Sequence, residues 1–290
     1  MKLSDLQEKQ ARLSAVDFAQ VLCYHENNAD GREKIMSFTG IIVRNVIKAP
    51  RIGVFKRYLF IGPHPDDIEI GAGATAAALA AAGKEVCFLI CTDGRYGTDN
   101  DRTLTGQELA AKRREEALAS AKMLGVTDVR FGNLSDGAFY KKKELLTVIA
   151  GVIGDFRPDI IFAPDPNVTS ESHPDHLNVG NAARRLAVIA GNPGIMAAYG
   201  TKEANVQAIA YYMTAKPNRF CKTTGFLKTQ LDSIFECHLS QFPKGSPAAD
   251  SVRLYLKLRA YEYGVRYLGT AEGFRVIPAG GLHCVPELGY

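Results

Sequence analysis

The sequence predicts an α/β fold: a mostly parallel sheet with helices on both faces, arranged as a Rossmann-like three-layer sandwich behind an N-terminal extension. Three observations lead there. Short apolar runs alternate with longer stretches of helical spacing, the grammar of right-handed βαβ crossovers. No internal repeat, low-complexity tract or linker interrupts that alternation. And 290 residues, 46% hydrophobic and 23% charged, are enough to bury a sizeable core without staples.

The first 55 residues read as the extension. Helical spacing runs over 3–24 through Leu6, Leu13, Val16, Ala19 and Leu22, and Asn27-Asn28-Ala29-Asp30-Gly31 breaks it. Residues 41–47 fit a strand or a helix equally, and Pro50 closes the segment. A structural extension packed on the body is the simpler expectation, an oligomer contact the sharper one. The second domain, 56–290, opens with a strand at Tyr58-Leu59-Phe60-Ile61. Its alanine-rich helix covers 70–82, with Gly83 where a C-terminal cap belongs. A strand over 86–91 ends at Thr92-Asp93-Gly94, and a helix over 106–124 ends at Gly125. Next come a strand at 128–131, a helix at 144–156 stopped by Pro158, and a strand at 159–163. A helix over 174–190, a strand over 207–212 and helices over 224–239 and 250–267 complete the reading.

Composition removes several function classes. Thirty-five Lys and Arg against 31 Asp and Glu leave +4, and the longest basic run is Lys141-Lys142-Lys143, so no nucleic-acid partner is expected. The longest apolar stretch, 76–82, is too short to cross a bilayer, and the start lacks the apolar region of a secretory leader. Six scattered cysteines with no C-x-x-C pair read as reduced thiols, which points to a cytoplasmic protein.

In such sheets ligands bind at the carboxyl ends of the strands. Two polar clusters fall there: Pro63-His64-Pro65-Asp66-Asp67 after the first strand, and Ser172-His173-Pro174-Asp175-His176 opening a helix. Each alone could be a turn whose aspartate caps the next helix. Together they deliver imidazoles and carboxylates from two loops to one rim, the N/O donor set of a catalytic zinc site with an open position for water. Neither loop contains cysteine. Spacing alone does not say which of Asp66 and Asp67 would be the ligand.

These clusters, His64-Pro65-Asp66-Asp67 and His173-Pro174-Asp175-His176, resemble the signatures of the PIG-L/LmbE-like family of zinc-dependent N-acetylglucosaminyl deacetylases. The likeness extends in order through Thr92-Asp93-Gly94, Arg113-Arg114-Glu115-Glu116, Asp136-Gly137, His238-Leu239-Ser240-Gln241 and Ala271-Glu272-Gly273-Phe274. Pro63 stands where an alanine is common in the family, and the first 55 residues have no counterpart in its compact pattern. The resemblance implies that His64, Asp67 and His176 bind Zn2+, with Fe2+ as another suitable divalent ion. It implies Asp66 as general base, a protonated His173 facing the substrate carbonyl, and Asp175 fixing a histidine tautomer. Arg113 and Asp136 would contact an amino-sugar substrate. The implied reaction is metal-assisted amide hydrolysis, in which Asp66 takes a proton from activated water and either Asp66 or His173 protonates the leaving amine. Asp93 could steady the metal loop, and His25, His238 and His283 read as packing or surface residues. A homo-oligomer without a membrane span is the expected assembly.

Two rivals remain. Gly71-Ala72-Gly73-Ala74-Thr75-Ala76 fits a dinucleotide fingerprint with Asp93 about twenty residues on, although its glycines lie well past the strand and Asp66, Asp67 and Glu69 would repel a pyrophosphate. The other keeps the fold as a non-catalytic metal- or sugar-binding module. Every position needed for turnover is filled, which argues against it.

Overall fold

The computed structural model describes residues 43, 46–97 and 104–288. The expectations placed on 1–42, including the helix over 3–24, His25 and an oligomer contact, lie outside them.

Seven strands form the sheet: β1 Arg57–Gly62, β2 Glu85–Thr92, β3 Asp128–Leu134, β4 Ile160–Pro164, β5 Ala208–Tyr212, β6 Arg219–Lys222 and β7 Ala271–Pro278. Their spatial order is β3-β2-β1-β4-β5-β7-β6. The first five are parallel, while β7 runs antiparallel to both β5 and β6. The helices are α1 Asp67–Ala81, α2 Gly106–Met123, α3 Lys142–Phe156, α4 Pro174–Ile189, α5 Pro193–Ala198, α6 Leu227–Asp232 and α7 Pro247–Gly264.

The central strands are buried on both faces, which is why they read as unbroken apolar runs rather than alternating ones. Alternate residues serve two cores. Leu59, Ile61, Leu89 and Ile161 meet Leu146, Ile149, Ile153, Val179 and Leu186 of α3 and α4. Tyr58, Phe60, Phe88 and Phe162 meet Ala72, Ala76, Ala117 and Ala121 of α1 and α2. At the centre of the second core Phe60 stacks on Phe162 at 4.3 Å between ring centroids. Ile52 and Phe55 join that core, and the Arg219 guanidinium of β6 donates to the carbonyls of Ala49 and Pro50.

The sequence reading missed β6, β7 and the short α5. Strand β7 hides behind Glu272 and Gly273, residue types depleted in strands, yet Phe274, Val276 and Ile277 are buried along it. The helix expected over 224–239 stops at Asp232 and passes into a wide turn over Ser233–Cys237. The one expected over 250–267 begins at Pro247, because the Ser246 side chain caps it by accepting from Ala249 N.

One feature of this topology positions the site. Strand order reverses between β1 and β4, whose connections leave for opposite faces, so the loops at their carboxyl ends diverge and open a crevice.

Candidate metal centre

The loop after β1 and the start of α4 meet in that crevice. Asp66, at the N-terminal boundary of α1, takes φ 117°, a conformation that costs a non-glycine residue strain. The turn sends the two neighbouring carboxylates in different directions. Asp67 folds back: its Oδ2 accepts from His64 N at 2.8 Å and lies 3.0 Å from His64 Nδ1. Its Oδ1 lies 3.3 Å from His176 Nε2. Asp66 instead faces Arg113 Nη2 at 3.2 Å.

His64, Asp67 and His176 each offer one ligand atom, and these atoms lie within 4.8 Å of one another. The outer ring nitrogens are held too. His64 Nε2 is 3.0 Å from Asp175 Oδ2, and His176 Nδ1 is 2.9 Å from Glu171 Oε2. A carboxylate behind each histidine fixes its tautomer and leaves the inner nitrogen free to bind a cation. His64, His173 and Asp175 make a second such group. It is the weaker candidate, because Asp175 already accepts from Gly137 N and Ala138 N at 2.7 and 2.9 Å, and His173 Nδ1 accepts from Asp175 N at 3.2 Å. The donor chemistry of the first group, two imidazoles and one carboxylate, fits a divalent ion of the zinc type.

Charge follows this wiring. Burial opposes the charged form of His64, but Asp175 and Asp67 outweigh it and raise the ring to about 10. His176 is likewise raised to about 9, its burial overcome by Asp67. Asp67 is buried, yet the adjacent His176 and His64 keep it well below the usual carboxylate range. Asp175 falls to about 2 because His64 and backbone N–H groups outweigh burial. Asp66 goes the other way: burial lifts it to about 6, against the pull of the Arg113 guanidinium. A cation entering here displaces protons from both histidines, and Asp66 alone among these carboxylates is poised to titrate near neutrality.

His173 caps α4 through its Nδ1, so the proton of its neutral ring sits on Nε2. Burial and the neighbouring His64 and His176 charges lower its pKa.

Arg113, expected to contact substrate, is 3% exposed and donates to Gly94 O at 3.0 Å and Pro65 O at 2.8 Å as well as to Asp66. Glu116, one turn on from Arg113, accepts from Ser240 N and Oγ. Asp136 is buried, with Tyr96 N 3.1–3.2 Å from its oxygens, and burial raises its pKa. The Asp93 side chain pairs with Arg95. His238 is fully buried behind α1, 3.3 Å from a Glu69 carboxylate that also accepts from Ser120. Glu69 was read only as a charge that would repel a pyrophosphate, and Glu171 escaped the sequence reading; for Glu171 the available signal was an acid five residues before a candidate ligand histidine.

The dinucleotide reading fails on geometry. Gly71 and Gly73 lie inside α1, where a Cβ on Gly71 would come 2.2 Å from the Tyr212 ring. The helix kinks at Ala72, and the N–H groups of Ala74 and Thr75 go to the buried carboxylate of Glu272 at 3.2 and 2.7 Å. A pyrophosphate finds that place taken.

A family model described as GlcNAc-PI de-N-acetylase (PIG-L) matches residues 59–187. A diacetylchitobiose deacetylase of Thermococcus kodakarensis is 34% identical over 240 residues, covering 80% of this chain and 86% of that one. The chain belongs to the PIG-L/LmbE-like deacetylase family. Within this family, the solved N,N'-diacetylchitobiose deacetylase from Pyrococcus horikoshii, in complex with its inhibitor MPG, is similar at TM-score 0.77 and 32% identity, covering 89% of this chain and 98% of that one. A 1D-myo-inositol 2-acetamido-2-deoxy-alpha-D-glucopyranoside deacetylase of Kineococcus radiotolerans is 30% identical over 194 residues, 57% of this chain and 53% of that one, so the chain spans about half of that relative. The 4-carboxy-2-hydroxymuconate hydratase of Pseudomonas putida KT2440, at 20% identity and TM-score 0.63, shares the fold alone. Among the described residues no helix is long and apolar enough to cross a membrane.

Proposed function

We propose that this PIG-L/LmbE-like protein removes the acetyl group from an N-acetylglucosamine-type amino sugar, with His64, Asp67 and His176 holding zinc. One observation carries the reading: Asp67 turns into the histidine pair while Asp66 turns away and stays available as a base. Ferrous ion suits the same donors. A bound divalent cation supplies Lewis-acid character that makes hydroxide available near neutral pH.

The chain's own groups do the rest. Asp66 accepts the proton of the attacking water, and Arg113 holds it in place and in its charged form. His173 Nε2–H donates to the amide oxygen as negative charge develops there. Asp175 keeps His64 oriented, and Glu171 does the same for His176. With the Nδ1 of His173 committed to Asp175 N, Asp66 returns its proton to the departing amine. Asp136, which accepts from Tyr96 N, receives sugar hydroxyls.

Two further features support the wider reading. Cys87, Cys91, Cys221, Cys237 and Cys284 are all free thiols, in keeping with a cytoplasmic protein. Leu254, Leu258, Tyr261, Val265 and Leu268 are each more than half exposed and follow a 4-3-4-3 spacing along and just past α7, which suits self-association into a homo-oligomer.

Acetate release from a panel of N-acetylated amino sugars, with zinc-loaded and chelated protein, tests the proposal. Asp66→Asn should lower kcat by about a hundredfold or more with zinc still bound, whereas His176→Ala should lower zinc content. Turnover by Asp66→Asn at the wild-type rate, or by chelated protein, defeats the mechanism.

A further inference from the structure

We propose that the cleft between the second half of α1, strand β6 and the segment that follows α7 binds a small phosphorylated organic molecule. The cleft has a volume of about 730 Å³, within the range of small-molecule sites. Arg51, Arg219, Lys222 and Arg266 line it, and among the described residues no carboxylate does. A chain with a formal excess of only +4 thus gathers four cations at one place. The metal centre is elsewhere. Thr75 and Leu79, which also line the cleft, lie about 12 and 18 Å along α1 from Asp67, at about 1.5 Å per residue. Strand β6 is the last of the sheet, away from the β1 and β4 ends that carry the site's loops.

The four cations are not held alike. Arg219 donates to the carbonyls of Ala49, Pro50 and Asn218, which ties the segment leading to Arg51 against β6. Arg266 lies over the Phe220 ring at 4.6 Å, and a guanidinium stacked by its face keeps its N–H edge for an acceptor. Arg51 and Lys222 are exposed. Among the described residues no carboxylate pairs with Arg51, Lys222 or Arg266, whereas Arg57, Arg95, Arg130, Lys228 and Lys244 each have an acid. Keeping other strands off a short edge strand accounts for Lys222 by itself. Arg51 and Arg266 come from other segments, one before β1 and one past α7, and that purpose does not explain them. Three unpaired cations suit the three terminal oxygens of a phosphate monoester better than the two of a carboxylate, and the arginine fork matches phosphate geometry. Leu79, Phe220 and Tyr267 add apolar surface beside the charges, so the ligand has a carbon body as well as an anionic head.

Isothermal calorimetry on the full-length protein, zinc-loaded and chelated, tests this with phenyl phosphate, inorganic phosphate, benzoate and phenol. Phenyl phosphate should fill one saturable site that survives chelation, and should bind there more tightly than the other three probes. Arg51→Gln, Lys222→Gln and Arg266→Gln should each raise its Kd about tenfold, the loss of one charged hydrogen bond, with zinc content and the circular dichroism spectrum unchanged. The three side chains belong to separate segments, so loss of fold in one variant leaves two to decide. Absent binding overturns the proposal, as does binding lost on chelation, which would put the anion on the metal. A Kd within twofold of wild type in every folded variant overturns it too. Benzoate binding as tightly as phenyl phosphate removes the phosphate assignment, and inorganic phosphate binding as tightly removes the carbon body.

Discussion

Asp66 and Asp67 are chemically identical neighbours with opposite surroundings, and burial alone would raise both. Paired imidazoles hold Asp67 ionised, whereas Asp66 has one guanidinium, which leaves it at about 6. Arg113 is therefore the residue that sets where Asp66 titrates. Arg113→Met removes the positive charge that favours ionised Asp66, so the acidic limb of the kcat/KM profile should move to higher pH by half a unit or more. A limb that stays in place, with only KM altered, would return Arg113 to direct substrate contact. The sequence showed an arginine, an aspartate pair and two histidine-bearing loops. It did not show that the arginine turns inward, because a helix position half a turn away would have pointed it at solvent.

At the scale of elements, α4 and its N-cap carry three of the site's side chains, and the helix must sit close to β4. Gly180 allows this: a Cβ there would come 2.5 Å from the Pro164 carbonyl oxygen. Gly180→Ala gains about 1 kcal/mol of helix propensity but meets an immovable backbone, and overpacking of this kind costs about 1–3 kcal/mol. The contact should win, lowering the melting temperature and weakening zinc binding as α4 shifts; a variant more stable than wild type with full zinc affinity would refute this. The start of α4 was legible, since Pro174 and the polar cluster before it announce a helix N-terminus. The start of α1 was not. It begins at Asp67, three residues before the expected 70, because Asp66 adopts a strained turn that no local propensity favours.

Across the whole molecule, Glu272 links β7 to α1 over nearly 200 positions of sequence. Its carboxylate accepts from Ala74 N, Thr75 N and Gln230 Nε2, yet burial raises it from an ordinary 4.5 to about 7. Between those values the folded protein binds more protons than the unfolded chain, so stability should fall as pH rises from about 4.5 through about 7. Thermal melts across that window should show a smaller decline for Glu272→Gln, and parallel curves would exclude this account. The exposed stripe of α7 gives a second molecular-scale expectation. Leu258→Glu should reduce the mass seen by light scattering, with the circular dichroism spectrum intact; a mass already monomeric in the wild type would count against self-association.

What the sequence determined by itself was whatever local pattern encodes: the alternation of apolar runs and amphipathic helices, hence the parallel sheet, and the two histidine-aspartate clusters at strand ends. Those follow from periodicity and composition, which act over a few residues. Tertiary structure set Asp67 against both histidines, as the family resemblance had implied, and it alone decided that Arg113 is buried against Asp66, that Glu171 lies behind His176, and that β7 completes the sheet. Each depends on burial and on partners tens to hundreds of residues away, and a side chain's charge and direction are set by those partners rather than by its place in the chain.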